Sequence, residues 1–126
     1  MNFIGMNYKT MTGNNMEELL ELIKAKLEEK KAEDISVIDI SELSIMADYF
    51  VIASGSNANQ IHAMADFLEE ELAKKGIKPK HIEGYNTANW ILLDYSDIII
   101  HIFDKESRSF YDLDHIWKGG KIIALP

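Results

Sequence analysis

Two aspartates that flank a short predicted turn, Asp94 and Asp97, come nearest in this sequence to a catalytic spacing. Paired carboxylates can bind a metal ion or transfer protons during a reaction. Aspartates beside a turn, however, are more often solvated side chains that hydrogen-bond the turn backbone. We therefore assign Asp94 and Asp97 to the turn, and the pair predicts no catalytic site.

A second candidate is Gly55-Ser56, which follows an apolar, strand-like run and precedes a predicted helix. Backbone N–H groups at a helix start can hold a phosphate. The pair lacks the glycine-rich spacing of either nucleotide-binding fingerprint, so a tight turn followed by a helix cap is the favoured interpretation. A degenerate nucleotide-binding protein, or a residual nucleotidyltransferase that uses Gly55-Ser56, remains the alternative.

The other residue types that carry chemistry form no catalytic or metal-binding pattern. The histidines lack the i, i+4 spacing of metal ligands on one helix; they are His62, His81, His101 and His115. No serine lies in a nucleophile-elbow sequence. We therefore predict no catalytic residue, no metal ion and no cofactor, and we expect a protein that is not an enzyme.

The composition indicates a folded domain with an acidic surface. Of 126 residues, 47% are hydrophobic and 27% are charged, as in globular domains. The absence of cysteine suits a reducing cytoplasm. The net charge of -8 disfavours non-specific binding to nucleic acid and favours a basic protein partner.

The chain contains no sequence typical of a membrane span or a targeting signal. Its apolar runs are too short to cross a bilayer, and residues 1–13 lack the basic start and apolar centre of a signal peptide. We assign residues 1–13 to a flexible leader or a cloning remnant without function. Residues 14–126 are predicted to form a single domain.

Apolar residues recur at helical spacing over 16–31 and 58–75, and both segments are predicted to be amphipathic helices. Short apolar runs predict strands at 35–40, 49–54 and 80–83, a hairpin over 90–103 and an edge strand at 122–125. Residues 106–111 and 113–117 are typical of short helical turns. This order predicts an α/β domain in which a mixed sheet is flanked by helices.

The predicted hairpin has two different faces. If Asp94 pairs with Asp97 across Tyr95-Ser96, Trp90 faces His101 and Leu92 faces Ile99. One face is purely aliphatic and must be core; it comprises Ile91, Leu93, Ile98, Ile100 and Ile102. The other mixes polar and apolar groups, and comprises Trp90, Leu92, Asp94, Asp97, Ile99, His101 and Phe103. Pattern alone favours core over a recognition surface here too, because exposed apolar patches are uncommon.

These residues resemble the ribosomal silencing factor family, also called the Iojap-like family. The similarity runs from about Asp39 to Trp117. Its earlier part comprises Asp39, the stretch from Ser44 to Tyr49, Gly55 and Glu83-Gly84. Its most specific part comprises Trp90, Asp94, Asp97 and His101, followed by Glu106-Ser107-Arg108, Tyr111, Leu113 and Trp117.

The resemblance implies a fold related to nucleotidyltransferases that has lost their activity. Active members carry an Asp-x-Asp pair on the strand after the Gly-Ser helix, whereas strand 80–83 offers one carboxylate, Glu83. It also implies a cytoplasmic translation repressor, homodimeric when free. Such a factor binds ribosomal protein L-fourteen on the large subunit, with little direct nucleic-acid contact expected, and blocks subunit joining sterically.

Given this resemblance, we expect the mixed face of the hairpin to be an interface. The residues expected to bind the partner are Trp90, Leu92, Asp94, Asp97, His101, Arg108 and Tyr111. Tryptophan often anchors interfaces, and the aspartates would meet lysine or arginine of the partner. For Arg108, an internal salt bridge to Glu106 or Asp112 is an equal alternative.

Overall fold

A six-stranded mixed sheet organises the part of the chain that the computed structural model describes, residues 13–116 and 119–125. The elements in chain order are α1 (Gly13–Glu29), β1 (Glu33–Asp39), β2 (Tyr49–Gly55), α2 (Ala58–Ala73), β3 (His81–Glu83), β4 (Trp90–Asp94), β5 (Ile98–Asp104), α3 (Lys105–Tyr111), α4 (Leu113–Ile116) and β6 (Lys121–Ile122). The predicted α/β architecture, a mixed sheet flanked by helices, is confirmed.

The sheet has the strand order β3-β4-β5-β2-β1-β6, and among these strands β2 and β5 form the parallel pair. Strand β2 lies near the middle and is buried over all of its length except Tyr49. Its near-continuous apolar run predicted such a central position. Strand β5 lies beside β2, and the antiparallel β4 and β3 follow it towards one edge of the sheet.

Helices α1 and α2 cover one face of the sheet. The predicted apolar stripe of α1 is buried, and comprises Leu19, Leu20, Ile23 and Leu27. The predicted stripe of α2 is buried as well, and comprises Ile61, Met64, Ala65, Leu68 and Leu72. Against them pack the five aliphatic residues of the hairpin, each with an exposed fraction of 0%: Ile91, Leu93, Ile98, Ile100 and Ile102. The prediction that this face is core is confirmed.

The opposite face carries a smaller cluster that is only partly covered. Helix α3 contacts β5 and β2, and Leu113 of α4 packs against the same cluster. Phe50 and Phe103 are buried there. On β4, by contrast, the side chains that point to this face are only half-buried. This side of the sheet is therefore closed over its middle and open towards β4.

The hairpin register differs from the predicted one by two residues. Trp90 pairs with Phe103, Leu92 with His101 and Asp94 with Ile99. Tyr95 donates its backbone N–H to the carbonyl of Ile98 at 2.9 Å, so the loop is Ser96-Asp97 rather than Tyr95-Ser96. Because the shift is an even number, the strand residues keep the faces predicted for them.

The ends of the chain are less completely described than the sheet. Residues 1–12 of the predicted leader, and Trp117 of the predicted turn 113–117, lie outside the described residues. Strand β6 pairs with Ile38 and Asp39 and is shorter than the strand predicted at 122–125. Within the described ranges, no helix combines the length and apolarity needed to cross a membrane.

Candidate functional site

The face under α3 and α4 is only half covered, and it leaves four side chains near the sheet edge accessible. We call these four the open surface: Trp90, Leu92, Asp94 and Ile99. All four are partly buried, and they are contributed by β4 and β5. Strand β3 extends this surface, because Glu83 pairs with Leu92 and His81 pairs with Asp94. An open hollow of about 230 Å³ lies between Glu83, Gly84, Trp90 and Leu92.

Aromatic rings fix Trp90 on two sides. Its ring centroid lies 5.0 Å from that of Phe103 and 4.7 Å from that of Tyr111. The indole Nε1–H donates to Nδ1 of His101 at 3.0 Å. Trp90 therefore combines a held orientation with partial exposure, as an interface anchor requires.

The loop before Trp90 approaches its backbone closely. Gly84 has φ +76°, and a Cβ added there would lie 2.1 Å from the carbonyl oxygen of Trp90. Tyr85 ties the same loop to α2, because its carbonyl lies 2.6 Å from Nε2 of His62 and its hydroxyl donates to Asp66 at 2.9 Å. Glycine is thus required at position 84 to keep Trp90 where it is.

His101 lies beneath the open surface. The side chain is 3% exposed, and its ring meets Phe50 edge-on at a centroid distance of 4.5 Å. Burial lowers the pKa of His101 from 6.5 to about 4, so the imidazole is neutral at physiological pH. Among the predicted site residues, His101 is thus a core residue that reaches the surface only through Trp90.

Asp94 and Asp97 have different surroundings. The Asp94 carboxylate accepts the backbone N–H of Ser96 at 2.8 Å, which confirms its predicted turn role. Its other oxygen lies 3.6 Å from Nε2 of His81. Asp97 lies in the turn itself, and its carbonyl accepts the N–H groups of Asp48 and Tyr49 at 2.8 and 3.0 Å. The backbone of Asp97 therefore lies beside the end of the β1–β2 loop.

Asp48 illustrates the acidic character of this end of the sheet. Burial raises the pKa of its carboxyl, and the neighbouring charges of Asp97 and Asp39 raise it further.

In the loop that contains Asp48, Ile45 and Met46 are among the most exposed apolar side chains of the described protein. They were not predicted as site residues. The signal was present as an apolar pair inside a connecting segment.

The Arg108 side chain is largely buried and contacts other residues of the protein. Its side chain is 15% exposed and forms a salt bridge with Asp114, with N···O distances of 3.0 and 3.2 Å. It also donates to the hydroxyls of Ser54 at 3.0 Å and Ser36 at 3.3 Å, and to the carbonyl of Asp34. The internal alternative is therefore the observed one, but the partner is Asp114 and not Glu106 or Asp112.

The contacts of Arg108 also influence the pKa of the Asp114 carboxyl. Burial alone would raise the pKa of this carboxyl, but the hydrogen bonds and charge of Arg108, together with a hydrogen bond from Ser36, lower it. Arg108 thereby joins α3 and α4 to strands β1 and β2. It holds in place the cover over the middle of this face.

Tyr111 lies at the border of the open surface, with 43% of its surface exposed. Its neighbour Phe110 is 79% exposed and meets the Tyr111 ring edge-on at 5.1 Å. Phe110 was not predicted as a site residue, although a phenylalanine beside a predicted surface tyrosine was a usable signal. The apolar part of the site therefore extends from Leu92 through Trp90 onto α3.

Gly55 ends β2, and Ser56 leads into the N-cap of α2 at Asn57, so the helix cap of the favoured interpretation is confirmed. The Ser56 N–H donates to Oε1 of Gln60 at 2.6 Å, and the Asn57 side chain accepts the N–H of Gln60 at 2.9 Å. A Cβ on Gly55 would lie 2.7 Å from Cγ1 of Ile61, so this glycine permits close packing of α2. Gln60 thus occupies the N–H group that a phosphate would need.

The surroundings of Ser56 are also unsuited to an anion. Oε1 of Glu33 lies 3.5 Å from the Ser56 hydroxyl. Glu83, the single acid of the predicted third strand, is separated from β2 by β4 and β5. In the described part of the chain, no group of three or more His, Asp or Glu side chains could hold a metal ion.

Comparisons with known proteins extend the resemblance over nearly the whole chain. A family model described as "Ribosomal silencing factor during starvation" matches residues 13–125. Ribosomal silencing factor RsfS of Bacillus subtilis is 36% identical over 111 residues, which are 88% of this chain and 94% of that protein. The family-model match includes α1 and β6, which lie outside the stretch from Asp39 to Trp117.

Two further relatives show how widely the similarity extends. A mouse protein named "Mitochondrial assembly of ribosomal large subunit protein 1" is 30% identical over 101 residues, 78% of this chain and 44% of the relative. A crystal structure of a Bacillus halodurans protein superposes with a TM-score of 0.77 at 33% identity, covering 86% of this chain and 99% of that one. The fold, the family match and these relatives agree, and the chain belongs to the ribosomal silencing factor family.

Proposed function

We propose that this protein binds the large ribosomal subunit at ribosomal protein L-fourteen and thereby prevents the small subunit from joining. Translation is repressed by steric occlusion, and no reaction is catalysed. Family membership supports the silencing role, and the name of the mouse relative supports the large subunit as the partner.

The open surface is the observation that carries this proposal. Trp90 and Leu92 supply apolar area at its centre, and Tyr111 continues this area onto α3. Asp94 and Glu83 supply negative charge at its border. An aromatic centre with an acidic rim suits a basic protein, because aromatic residues carry much of the binding energy and charges steer the encounter.

We also propose that the free protein is a cytoplasmic homodimer that uses the same open surface. A half-buried apolar face is costly to leave in water, and a second copy would cover it. The ribosome would then compete with self-association. Sedimentation equilibrium of wild type and Trp90→Ala checks this, because an unchanged dimer in the variant would assign dimerisation to another surface.

Co-sedimentation with isolated large subunits, small subunits and joined ribosomes tests the main proposal. The wild type should pellet with large subunits and prevent them from joining small ones. Trp90→Ala should weaken pelleting by tenfold or more, roughly the loss expected for an interface anchor. Phe67→Ala is the matched control, because Phe67 lies on α2, on the other side of the sheet, under Lys26 and Lys30.

Circular dichroism must show that both variants are folded. If folded Trp90→Ala pelleted as well as the wild type, the open surface would not be the ribosome-binding site. If the wild type pelleted with no particle, the ribosomal function itself would be wrong.

A further inference from the structure

The hydrogen bond between Trp90 and His101 requires a particular form of the imidazole. The indole Nε1 can only donate, so Nδ1 of His101 must accept at 3.0 Å. The neutral ring consequently carries its proton on Nε2. This nitrogen is buried and has no hydrogen-bond partner among the described residues.

An unpaired buried donor is unfavourable and needs a reason. The surroundings of His101 are aromatic, with Phe50 and Phe103 at centroid distances of 4.5 and 6.2 Å. A leucine or phenylalanine would suit such a position without leaving a donor unpaired. The property that only the histidine supplies is the acceptor that faces the indole.

That acceptor decides which edge of the indole is buried. Two ring contacts restrain the plane of the Trp90 ring: Phe103 stacks on it at a centroid distance of 5.0 Å, and Tyr111 lies tilted against it at 4.7 Å. Such ring contacts tolerate a reversal of the indole within that plane, whereas the N–H donor has its acceptor at His101. The ring contacts alone leave two orientations of the indole similar in energy. The hydrogen bond therefore selects one of them.

We infer that His101 is a positioning residue, which holds the Trp90 indole in the orientation that the partner recognises. The inference rests on the proposed function, because it concerns the same open surface. A side chain that is already oriented loses less conformational freedom on binding. His101 itself need not touch the partner.

Two variants of similar shape separate the acceptor from packing. Asparagine keeps an acceptor oxygen close to the position of Nδ1, whereas leucine has nearly the same shape and no acceptor. Both lose the ring contact with Phe50. In the full chain, His101→Leu should bind large subunits about three- to tenfold more weakly than wild type, and His101→Asn should recover most of this loss.

A double-mutant cycle shows whether the effect passes through Trp90. Trp90→Phe keeps an aromatic ring and removes the donor, so His101→Leu should cause no further loss in that background. A similar loss in both backgrounds would overturn the inference. So would equal losses in His101→Leu and His101→Asn, or wild-type binding by His101→Leu.

The ¹H–¹⁵N resonance of the Trp90 indole provides a readout without the ribosome. It is assigned by its absence in Trp90→Phe. It should move upfield and exchange faster with solvent in His101→Leu, but change little in His101→Asn. If wild type fails to pellet, the proposed function is wrong, and an indole resonance unchanged in His101→Leu would separately overturn the positioning role.

Discussion

The two faces of this sheet are built from the same strands but have different chemistry. The face under α1 and α2 is aliphatic on β4 and β5, and residues such as Ile91, Ile100 and Ile102 are buried in it. The face under α3 and α4 is aromatic, contains a buried histidine, and leaves Trp90 and Leu92 half-buried. Alternation along one strand therefore separates a stabilising side from the side that we propose for recognition.

The difference lies in what each face does with polar atoms. On the aliphatic face of the hairpin, the five aliphatic side chains of β4 and β5 carry no polar atoms and close by packing. Tyr95, which follows β4, is buried on the same face, and its hydroxyl has no hydrogen-bond partner among the described residues. The other face holds polar groups that pair with side chains of other elements, such as Arg108 with Ser54 and Trp90 with His101. A face arranged in this way can remain partly open while its exposed side chains stay oriented.

Truncations on the two faces should give the largest contrast. Ile102→Ala on the covered face should lower the free energy of unfolding by about 3 kcal/mol, because it leaves a cavity in a closed core. Leu92→Ala on the open surface should lower it by only about 1 kcal/mol, because its side chain is half-buried. Urea denaturation measures both.

Ribosome binding should show the opposite order. Leu92→Ala should weaken co-sedimentation with large subunits, and folded Ile102→Ala should bind as wild type. Equal effects of the two variants on binding would remove the distinction between a stabilising and a recognising face.

The next largest loss of stability should come from replacing Arg108, which attaches α3 and α4 to the sheet. Arg108→Ala should lower the free energy of unfolding by about 2 to 3 kcal/mol, because Asp114 and the acceptors on β1 and β2 lose their shared donor. Lys105→Ala, which breaks a solvent-exposed pair with Glu33, is the control and should change stability little. A stable Arg108→Ala protein in thermal denaturation would show that α3 and α4 stay in place without this residue.

The buried histidine should make the half-covered face sensitive to acid. Because burial lowers the pKa of His101 from 6.5 to about 4, the unfolded chain binds a proton between these values that the folded protein does not. The contribution of His101 to stability is therefore complete above pH 6.5 and decreases as the pH falls towards 4. Between pH 7 and pH 5 the loss should be about 2 kcal/mol.

The variant His101→Leu should lack this component of the pH dependence. The comparison is made by urea denaturation of both proteins at pH 7 and pH 5, so that contributions from carboxyl groups such as Asp48 cancel. An identical pH dependence in the two proteins would mean that the pKa of His101 is the same in the folded and unfolded states.

The smallest effect on stability is expected at the edge of the open surface. Phe110→Ala should change the free energy of unfolding by no more than about 0.5 kcal/mol, because the side chain is 79% exposed. Its binding to large subunits should nevertheless weaken if the recognition side extends onto α3. Unchanged binding in the sedimentation assay would end the site at Tyr111.

The two-face division of the hairpin could be predicted from sequence, because side-chain alternation survives an even shift in register. The pairing itself could not. Tyr95 is buried and continues the strand, and Ser96 adopts φ +71°, so the turn begins one residue later than the flanking aspartates suggested. The burial of Tyr95, which sets where the turn begins, is decided by tertiary packing and not by the turn sequence.

The sequence predicted the relative placement of some candidate site residues but not the burial or contacts of the others. Trp90, Leu92 and Asp94 lie together as expected, whereas His101 is buried and Arg108 is engaged internally. Both outcomes depend on where α3 and α4 lie on the sheet. Asp114 approaches Arg108 because of the bend between the two helices, where Asp112 adopts a left-handed conformation. No local pattern contains this information.

The contacts of Arg108 also constrain the order in which the molecule can fold. Its partners Asp34 and Ser54 precede it by 74 and 54 residues. These acceptors come together only after β1 and β2 have paired, and the parallel β2–β5 pair, whose second strand leads into α3, is itself a contact between distant segments. We expect α3 and α4 to dock last, onto a finished sheet, so that the aromatic face is the final part of the protein to leave water.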